Sequence, residues 1–373
     1  MRTRSRLAVD LGILADNYQK LKILCPRNET LFMVKADAYG HGLLSVVHFS
    51  FKQLGIKEFG CATLGEALRL REELEEDEFE VYVFSDNQLG LQSLAEAYLH
   101  HRIIPVLTSF LDLNFVLGHP DFKNFPICLK FNTGMNRLGF SPEHSGQVID
   151  LLKKNGRRQV YHLMTHLSSA SQSVETNERN HIQFANFEKI KEAFVSEGIE
   201  LERTSIANSG AIEQRAGLSE THIRPGLMMY GPSALDAGLK SAWDGKVISR
   251  LETYVIDSFP VKKGTPISYG ATPCPDDGVI AIVAIGYGDG FSTHYKGVPI
   301  IHKAKRGIVV GRVNMDMSYV LFPPGTDIRA GETFSIWGHE PSELATIAQH
   351  AGTIPYELFC QLTSRIPRVY GLE

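Results

Sequence analysis

The chain has 373 residues, 43% apolar and 21% charged, ordinary globular proportions in a chain long enough to bury large cores without disulfide or metal staples. Its 38 basic and 42 acidic residues leave a net charge of −4, so no basic field for nucleic acid is expected. Five scattered cysteines (Cys25, Cys61, Cys128, Cys274, Cys360) form no C-x-x-C pair, which argues against a cysteine metal centre and fits a reduced, cytoplasmic setting.

The start, Met1 to Arg6, is basic, but Asp10 and Asp16 interrupt the segment that follows, leaving no signal-peptide core. No apolar run approaches the ~20 residues of a membrane span. Short apolar runs then recur: Leu31–Val34, Phe59–Ala62, Val81–Phe84, Ile103–Leu107, Ile127–Phe131, Val160–Thr165, Ser205–Ala207 and Leu227–Tyr230. Their continuous apolar character suits strands buried on both faces. Amphipathic stretches such as Leu64–Glu75 and Asn180–Ser196 lie between them and read as helices. Eight alternations over about 230 residues predict an α/β fold that opens with a (β/α)8 TIM barrel, an open doubly wound sheet being the alternative. Past residue 240 the pattern becomes Leu251–Ile256, Val279–Ile285, Ile308–Val310, Tyr319–Phe322 and Phe334–Trp337, separated by Gly and Pro turns. That is the spacing of a mainly β domain, with one late helix over Glu343–His350. The expected division is a barrel over 1–240 and a mainly β domain over 241–373.

Chemistry in such a barrel belongs just after the C-terminal ends of the strands. The first run leads into Lys35, where partial desolvation would lower the amine's pKa and free it to form a Schiff base. Taken alone, Lys35 is better read as a strand end that reaches out to water. It is not alone: Lys130 to Arg137, Thr165-His166, Asn208-Ser209-Gly210 and Arg224-Pro225-Gly226 follow other runs. The last two occupy the usual phosphate position of these barrels.

These segments resemble the alanine racemase family across nearly the whole chain. The most specific is Val34-Lys35-Ala36-Asp37-Ala38-Tyr39-Gly40-His41-Gly42, similar to the family's lysine motif for pyridoxal 5'-phosphate (PLP). Asn132 to Gly139, Arg224-Pro225-Gly226 with Tyr230-Gly231, and Ser268-Tyr269-Gly270-Ala271-Thr272 follow in the family's order. So do Gly286-Tyr287-Gly288-Asp289-Gly290, Gly311 to Asp316, and Ile354-Pro355-Tyr356-Glu357.

The resemblance implies interconversion of L- and D-alanine by two bases on opposite faces of a PLP-bound substrate, supplying D-alanine for peptidoglycan. Lys35 would hold the cofactor and serve the D-face, and Tyr269 the L-face. Tyrosine ordinarily ionises near pH 10, so a tyrosine base needs cationic or hydrogen-bonding help, here from His166 and Arg224. Arg224 would also face the pyridine nitrogen; a guanidinium keeps its proton, so the ring stays a restrained electron sink. Tyr39, Ser209, Gly226, Leu227 and Tyr356 are the implied phosphate contacts. Arg137 would clamp the substrate carboxylate as a two-pronged donor, joined by the backbone of Met315. Lys130 would orient Arg137, either carboxylated on its amine or unmodified. Asp316 would organise its loop, and Tyr287 with Tyr356 would narrow the entrance. No metal is implied.

Because Tyr269 and Met315 lie in the second domain, the resemblance further implies a head-to-tail homodimer with composite sites. Four positions depart from the family pattern: Asn314, Asn132, Gly288 and the Leu167-Ser168-Ser169 stretch. A broader-specificity racemase and a PLP-dependent amino acid decarboxylase are the alternatives.

Overall fold

The computed structural model describes residues 4–74, 78–87, 89 and 92–371. The chain's first strand, β1 (Arg6–Val9), is followed by β2 (Glu29–Met33), β3 (Glu58–Thr63), β4 (Glu80–Asp86) and β5 (Ile103–Leu107). Next come β6 (Cys128–Lys130), β7 (Gln159–Met164), β8 (Glu200–Ser205) and β9 (His222–Ile223). From β2 to β8 each strand pairs in parallel with the next, and β2 pairs in parallel with β9. A parallel bridge between Asn208 and Arg224 joins the ends of β8 and β9, and the Arg224 amide donates to the Ala207 carbonyl at 3.0 Å. The result is a (β/α)8 barrel. Leu31, Tyr82, Ile104, Val106, Cys128 and Met164 form one buried cluster, a packed interior rather than a pore. Toward the strands' N-terminal ends lies a polar layer. Arg203 Nη1 donates to Glu80 Oε2 at 2.6 Å and to Tyr82 Oη at 2.8 Å, and His222 Nε2 is 3.0 Å from Glu58 Oε1.

The first six expected strands overlap observed ones, whereas the last two need correction. Strand seven is Glu200–Ser205, meeting the expected Ser205–Ala207 only at Ser205; its Glu-Leu-Glu-Arg sequence hid it, because its charges face solvent and the polar layer. The expected eighth strand, Leu227–Tyr230, is a 3-10 turn, and His222–Ile223 is the strand. A short apolar run is buried equally well as strand or helix, so periodicity alone does not separate them. The helices Leu64–Leu74 and Glu178–Ser196 match expectation, with Glu75 outside the described residues. The second of these is capped by Asn177 Oδ1, which accepts from the amides of Arg179 and Asn180.

The second unit contains β10 (Ser249–Val261), β11 (Pro266–Ile267), β12 (Thr272–Pro273), β13 (Gly278–Val283) and β14 (Pro299–His302). It continues with β15 (Lys305–Val310), β16 (Ser318–Phe322), β17 (Thr333–Trp337) and β18 (Arg368–Tyr370). Its main sheet runs β14-β15-β16-β13-β10-β1-β18, with β17 also on β10. Strand β1 therefore belongs to this sheet, antiparallel to β10 and parallel to β18, although residues 1–240 were expected in the barrel. Four residues give too short a pattern to assign a partner. The late helix spans Pro341–Ala351, and a second, Pro355–Cys360, follows. Among the described residues no helix is long and apolar enough to cross a membrane.

Candidate active site

At the end of β2 the backbone does something unusual. Ala36, Asp37, Ala38 and Tyr39 all have φ between 53° and 55°, one turn of left-handed helix. For residues bearing a Cβ this costs about 1–2 kcal/mol each, so surrounding structure must hold it. Glu66 does so from the barrel: Oε1 accepts from the Ala36 amide at 2.5 Å and Oε2 from the Ala62 amide at 2.9 Å. Asp37 Oδ1 accepts from the Leu43 amide at 2.9 Å. From the second unit, Arg368 Nε donates to the Gly40 carbonyl at 2.8 Å, and Tyr370 Oη to the His41 carbonyl at 2.8 Å. Gly40, at φ 77°, lies so near the Phe359 carbonyl that a Cβ would collide with it. The turn places Lys35 and Tyr39 in one cavity.

That cavity, of about 560 Å³, lies at the C-terminal mouth of the barrel. Lys35, Tyr39, Lys130, Arg137, His166, Ser209, Arg224, Gly226, Leu227 and Tyr356 all line it. Ten of the sequence-derived site residues are therefore brought together from separate strand ends. Two lysines, two arginines and a histidine are among them, and no Asp or Glu lines the cavity among the described residues. Burial, reinforced by Arg137, lowers the pKa of Lys35. Lys130 is pushed down to about 8 by burial, Arg137, Arg224 and Lys35. Burial and then Arg224 hold His166 well below the usual imidazole range.

One end of the cavity is built as an anion cradle. Ser209 Oγ accepts from the Gly226 amide at 2.9 Å. Asn208 Oδ1 caps the turn that follows by accepting from the Ala211 amide at 3.2 Å. A Cβ on residue 226 would collide with the Tyr39 hydroxyl, so only glycine leaves this corner open. Tyr39 stacks on Tyr230 at 4.7 Å between ring centroids and tilts against Tyr356 at 5.8 Å. Backbone amides, a hydroxyl and phenols around a glycine-sized gap suit a phosphate. An electrophilic aldehyde carried on that phosphate would meet the Lys35 amine, so these residues fit PLP.

Arg137 stands on a loop organised by Asn132. The Asn132 Oδ1 atom accepts from the Gly134 amide at 3.3 Å and the Asn136 amide at 2.8 Å. An amide oxygen does this as well as a carboxylate, which accounts for the departure at 132.

Tyr269, Met315, Tyr287 and Asp316 do not line the cavity of their own chain. Tyr269 sits at the tip of the β11–β12 hairpin, 71% exposed; Met315 is 53% and Tyr287 45% exposed. They form one neighbourhood. Ser268 Oγ lies 2.7 Å from the Arg312 carbonyl oxygen and 2.9 Å from the Asn314 side-chain amide, and the Gly288 amide donates to the Met315 carbonyl at 2.9 Å. Asn314 thus ties the hairpin to the Met315 loop. Asp316 Oδ1 pairs with Arg365 at 2.8 Å. A Cβ at Gly288 would meet the end of the Arg365 side chain, which would have to shift.

Glu66 was missed from sequence, although its signal was present. Thr63-Leu64-Gly65-Glu66 is a capping box, with the Glu66 amide donating to Thr63 Oγ1 at 3.3 Å and Glu66 Oε2 accepting from the Thr63 amide at 3.3 Å. Its other oxygen braces the turn after Lys35, a contact no local pattern announces.

Residues 9–234 match the family model for the alanine racemase N-terminal domain, and residues 248–370 the model for the C-terminal domain. The chain is 34% identical over 364 residues to an alanine racemase of Nitrosococcus oceani, covering 96% of this chain and 97% of that one. The solved alanine racemase of Acinetobacter baumannii superposes with a TM-score of 0.85 at 29% identity over the full length of both chains. That of Bartonella henselae, described with covalently bound pyridoxal phosphate, shares the fold at a TM-score of 0.85 and 22% identity, over 99% of this chain and all of that one.

Proposed function

The chain belongs to the alanine racemase family, and from that membership we propose how its own residues interconvert L- and D-alanine with PLP. The observation that carries the reading is the shared cavity: the lysine at the end of β2, the anion cradle and the arginine pair meet in one place. Bound there, PLP supplies the electron sink that makes an amino acid α-hydrogen acidic.

The chain supplies the rest. Lys35 Nζ, with its lowered pKa, holds the cofactor at rest and moves the proton on the D-face. Tyr39, Ser209, Gly226, Leu227 and Tyr356 anchor the phosphate, and His166 and Arg224 flank the ring. Arg137 grips the substrate carboxylate with two parallel donors. Tyr269 Oη moves the proton on the L-face, and the backbone of Met315 assists Arg137. Asp316, paired with Arg365, holds the Met315 loop in place, and Tyr287 with Tyr356 narrows the approach to a small side chain.

Tyr269 and Met315 are exposed on their own subunit, so a second copy presents them to this cavity, and the assembly is a head-to-tail homodimer. The division at residue 240 separates the part that holds the cofactor from the part that supplies the opposing base. The five cysteines are all free thiols, which suits the cytoplasm, where the product would serve peptidoglycan synthesis.

Incubation with PLP and L-alanine in D2O tests the reaction: D-alanine carrying α-deuterium is expected. Release of CO2 without D-alanine would replace this reading with a decarboxylase. The composite site has its own test. Mixing Lys35→Ala with Tyr269→Phe protein lets heterodimers keep one intact site, so activity should recover to about one quarter of wild type after random exchange. No recovery on proven exchange would place both bases in one chain.

Lys130 is read as carboxylated. Four cations line the cavity, and a neutral amine adds CO2 with loss of one proton, turning a repulsive neighbour of Arg137 into an anion. Because Lys130 is pushed down to about 8, the reactive neutral amine grows as pH rises through that value. Protein stripped of CO2 should show a KM for alanine raised about tenfold, restored by bicarbonate. A 13C carbamate signal should appear with labelled bicarbonate; an unchanged KM and no signal would leave Lys130 unmodified.

A further inference from the structure

Arg224 is held without an acid. The residue is 4% exposed. Nη1 donates to Ser205 Oγ, and Nη2 to the Thr165 carbonyl, with a longer bond from Nη2 to the Ile206 carbonyl at 3.4 Å. Two of these acceptors are main-chain oxygens fixed by the barrel. The third is a hydroxyl, free to rotate until a second partner fixes it.

That partner is His162, whose Nε2 lies 2.8 Å from Ser205 Oγ. Both residues are fully buried. His162 makes this one polar contact among the described residues, and its Nδ1 is buried without a partner. Its ring packs edge-on against Tyr82 at 5.8 Å and tilts against His222 at 5.1 Å between centroids. Burial, His222, Arg224 and Arg203 all keep its imidazole neutral. A buried imidazole with an orphaned nitrogen costs stability, and an apolar residue would fill the interior as well. The single bond it makes is therefore the feature to explain.

We propose that His162 is a positioning residue, fixing the guanidinium of Arg224 against the pyridine nitrogen of PLP through Ser205. The proposal rests on the reading of Arg224 as the ring's partner given above. A neutral relay brings no negative charge near the ring nitrogen, so nothing there favours its protonation, and the guanidinium meets it as a donor. A protonated ring would hold electrons longer and favour a side reaction. In it, alanine loses its amino group and two electrons to the cofactor, water supplies the carbonyl oxygen, and pyruvate and pyridoxamine phosphate result.

Holoenzymes carrying His162→Asn, His162→Gln, Ser205→Ala or Arg224→Leu test this. A glutamine amide reaches the Nε2 position, whereas an asparagine amide stops short. His162→Asn and Ser205→Ala should shift the visible band of the bound cofactor in the same direction as Arg224→Leu. They should also raise pyruvate formed per racemisation about five- to tenfold. His162→Gln should match wild type in both readouts, and the His162→Asn/Ser205→Ala double variant should be no worse than either single one. A wild-type band and pyruvate ratio in His162→Asn, beside a changed Arg224→Leu, would overturn the relay and leave the role of Arg224 standing. No change in Arg224→Leu would overturn that role and the relay with it. If His162→Asn does not fold, Ser205→Ala, which removes one oxygen, decides: an unchanged band and ratio overturn the proposal.

Discussion

Replacing Tyr269 with Phe is expected to lower racemisation by about 10²–10⁴-fold, the range of a single well-placed acid–base group. The loss should be directional. Removal of the α-hydrogen from L-alanine needs a base on the face opposite Lys35, and a phenyl ring offers none. Deuterium washout from α-deuterated D-alanine, which depends on Lys35, should persist, while washout from the L-enantiomer should collapse. Cofactor binding should hold, because Tyr269 contributes nothing to the cradle of Ser209 and Gly226. The phenyl ring keeps the size of the original at the tip of the β11–β12 hairpin, so folding should be unaffected. Rapid stopped assays with each labelled enantiomer measure both directions, and equal loss in the two would remove Tyr269 from its assigned face.

The Lys35→Ala variant should lose more, about 10⁴-fold or beyond, because the proposed function asks one side chain both to tether the cofactor and to move a proton. It should also lose the visible band of lysine-bound PLP, with cofactor separating on gel filtration. The variant should remain folded. Lys35 precedes the left-handed turn, whose braces are Glu66, Asp37, Arg368 and Tyr370, and burial with Arg137 already disfavours its charged form. Compared with cofactor-free wild type, removing this desolvated amine from beside Arg137 should leave the melting temperature unchanged or slightly higher. An unaltered band in Lys35→Ala would show that another amine carries the cofactor.

The barrel was legible because strands buried on both faces read as unbroken apolar runs, and six of them announce themselves that way. Strand β8 was not, because Glu200, Glu202 and Arg203 belong to a face that meets solvent or the polar layer. The run Leu227–Tyr230 misled for the opposite reason: its burial comes from packing beneath the mouth as a 3-10 turn. Short strands such as β14 and β18 and the helix Pro355–Cys360 left too few residues for a period to emerge. The candidate site was legible as motifs to the extent that ten of the residues singled out from sequence line one cavity. The conformation that joins two of them was not legible. Ala36, Ala38 and Tyr39 ordinarily avoid positive φ, and what holds the turn comes from residues 66, 368 and 370, distant in sequence. The relay from His162 to Arg224 was equally hidden, since a lone histidine within an apolar strand carries no local signature.

The strand β1 has a consequence for how the molecule comes into being. Its partners, β10 and β18, lie some 240 and 360 residues further along the chain. As synthesis proceeds, the barrel's strands can pair with neighbours already made, while Arg6–Val9 must wait for residues 249–252 to cover one edge and for residues 368–370 to cover the other. Such distant pairing is slow to form. Arg368 and Tyr370, which clamp the turn after Lys35, arrive on that same final strand. The lysine that appears thirty-fifth in the chain is thus secured only once residues 368–370 are in place, and removing Arg368 and Tyr370 should disarm the enzyme while leaving most of the barrel intact.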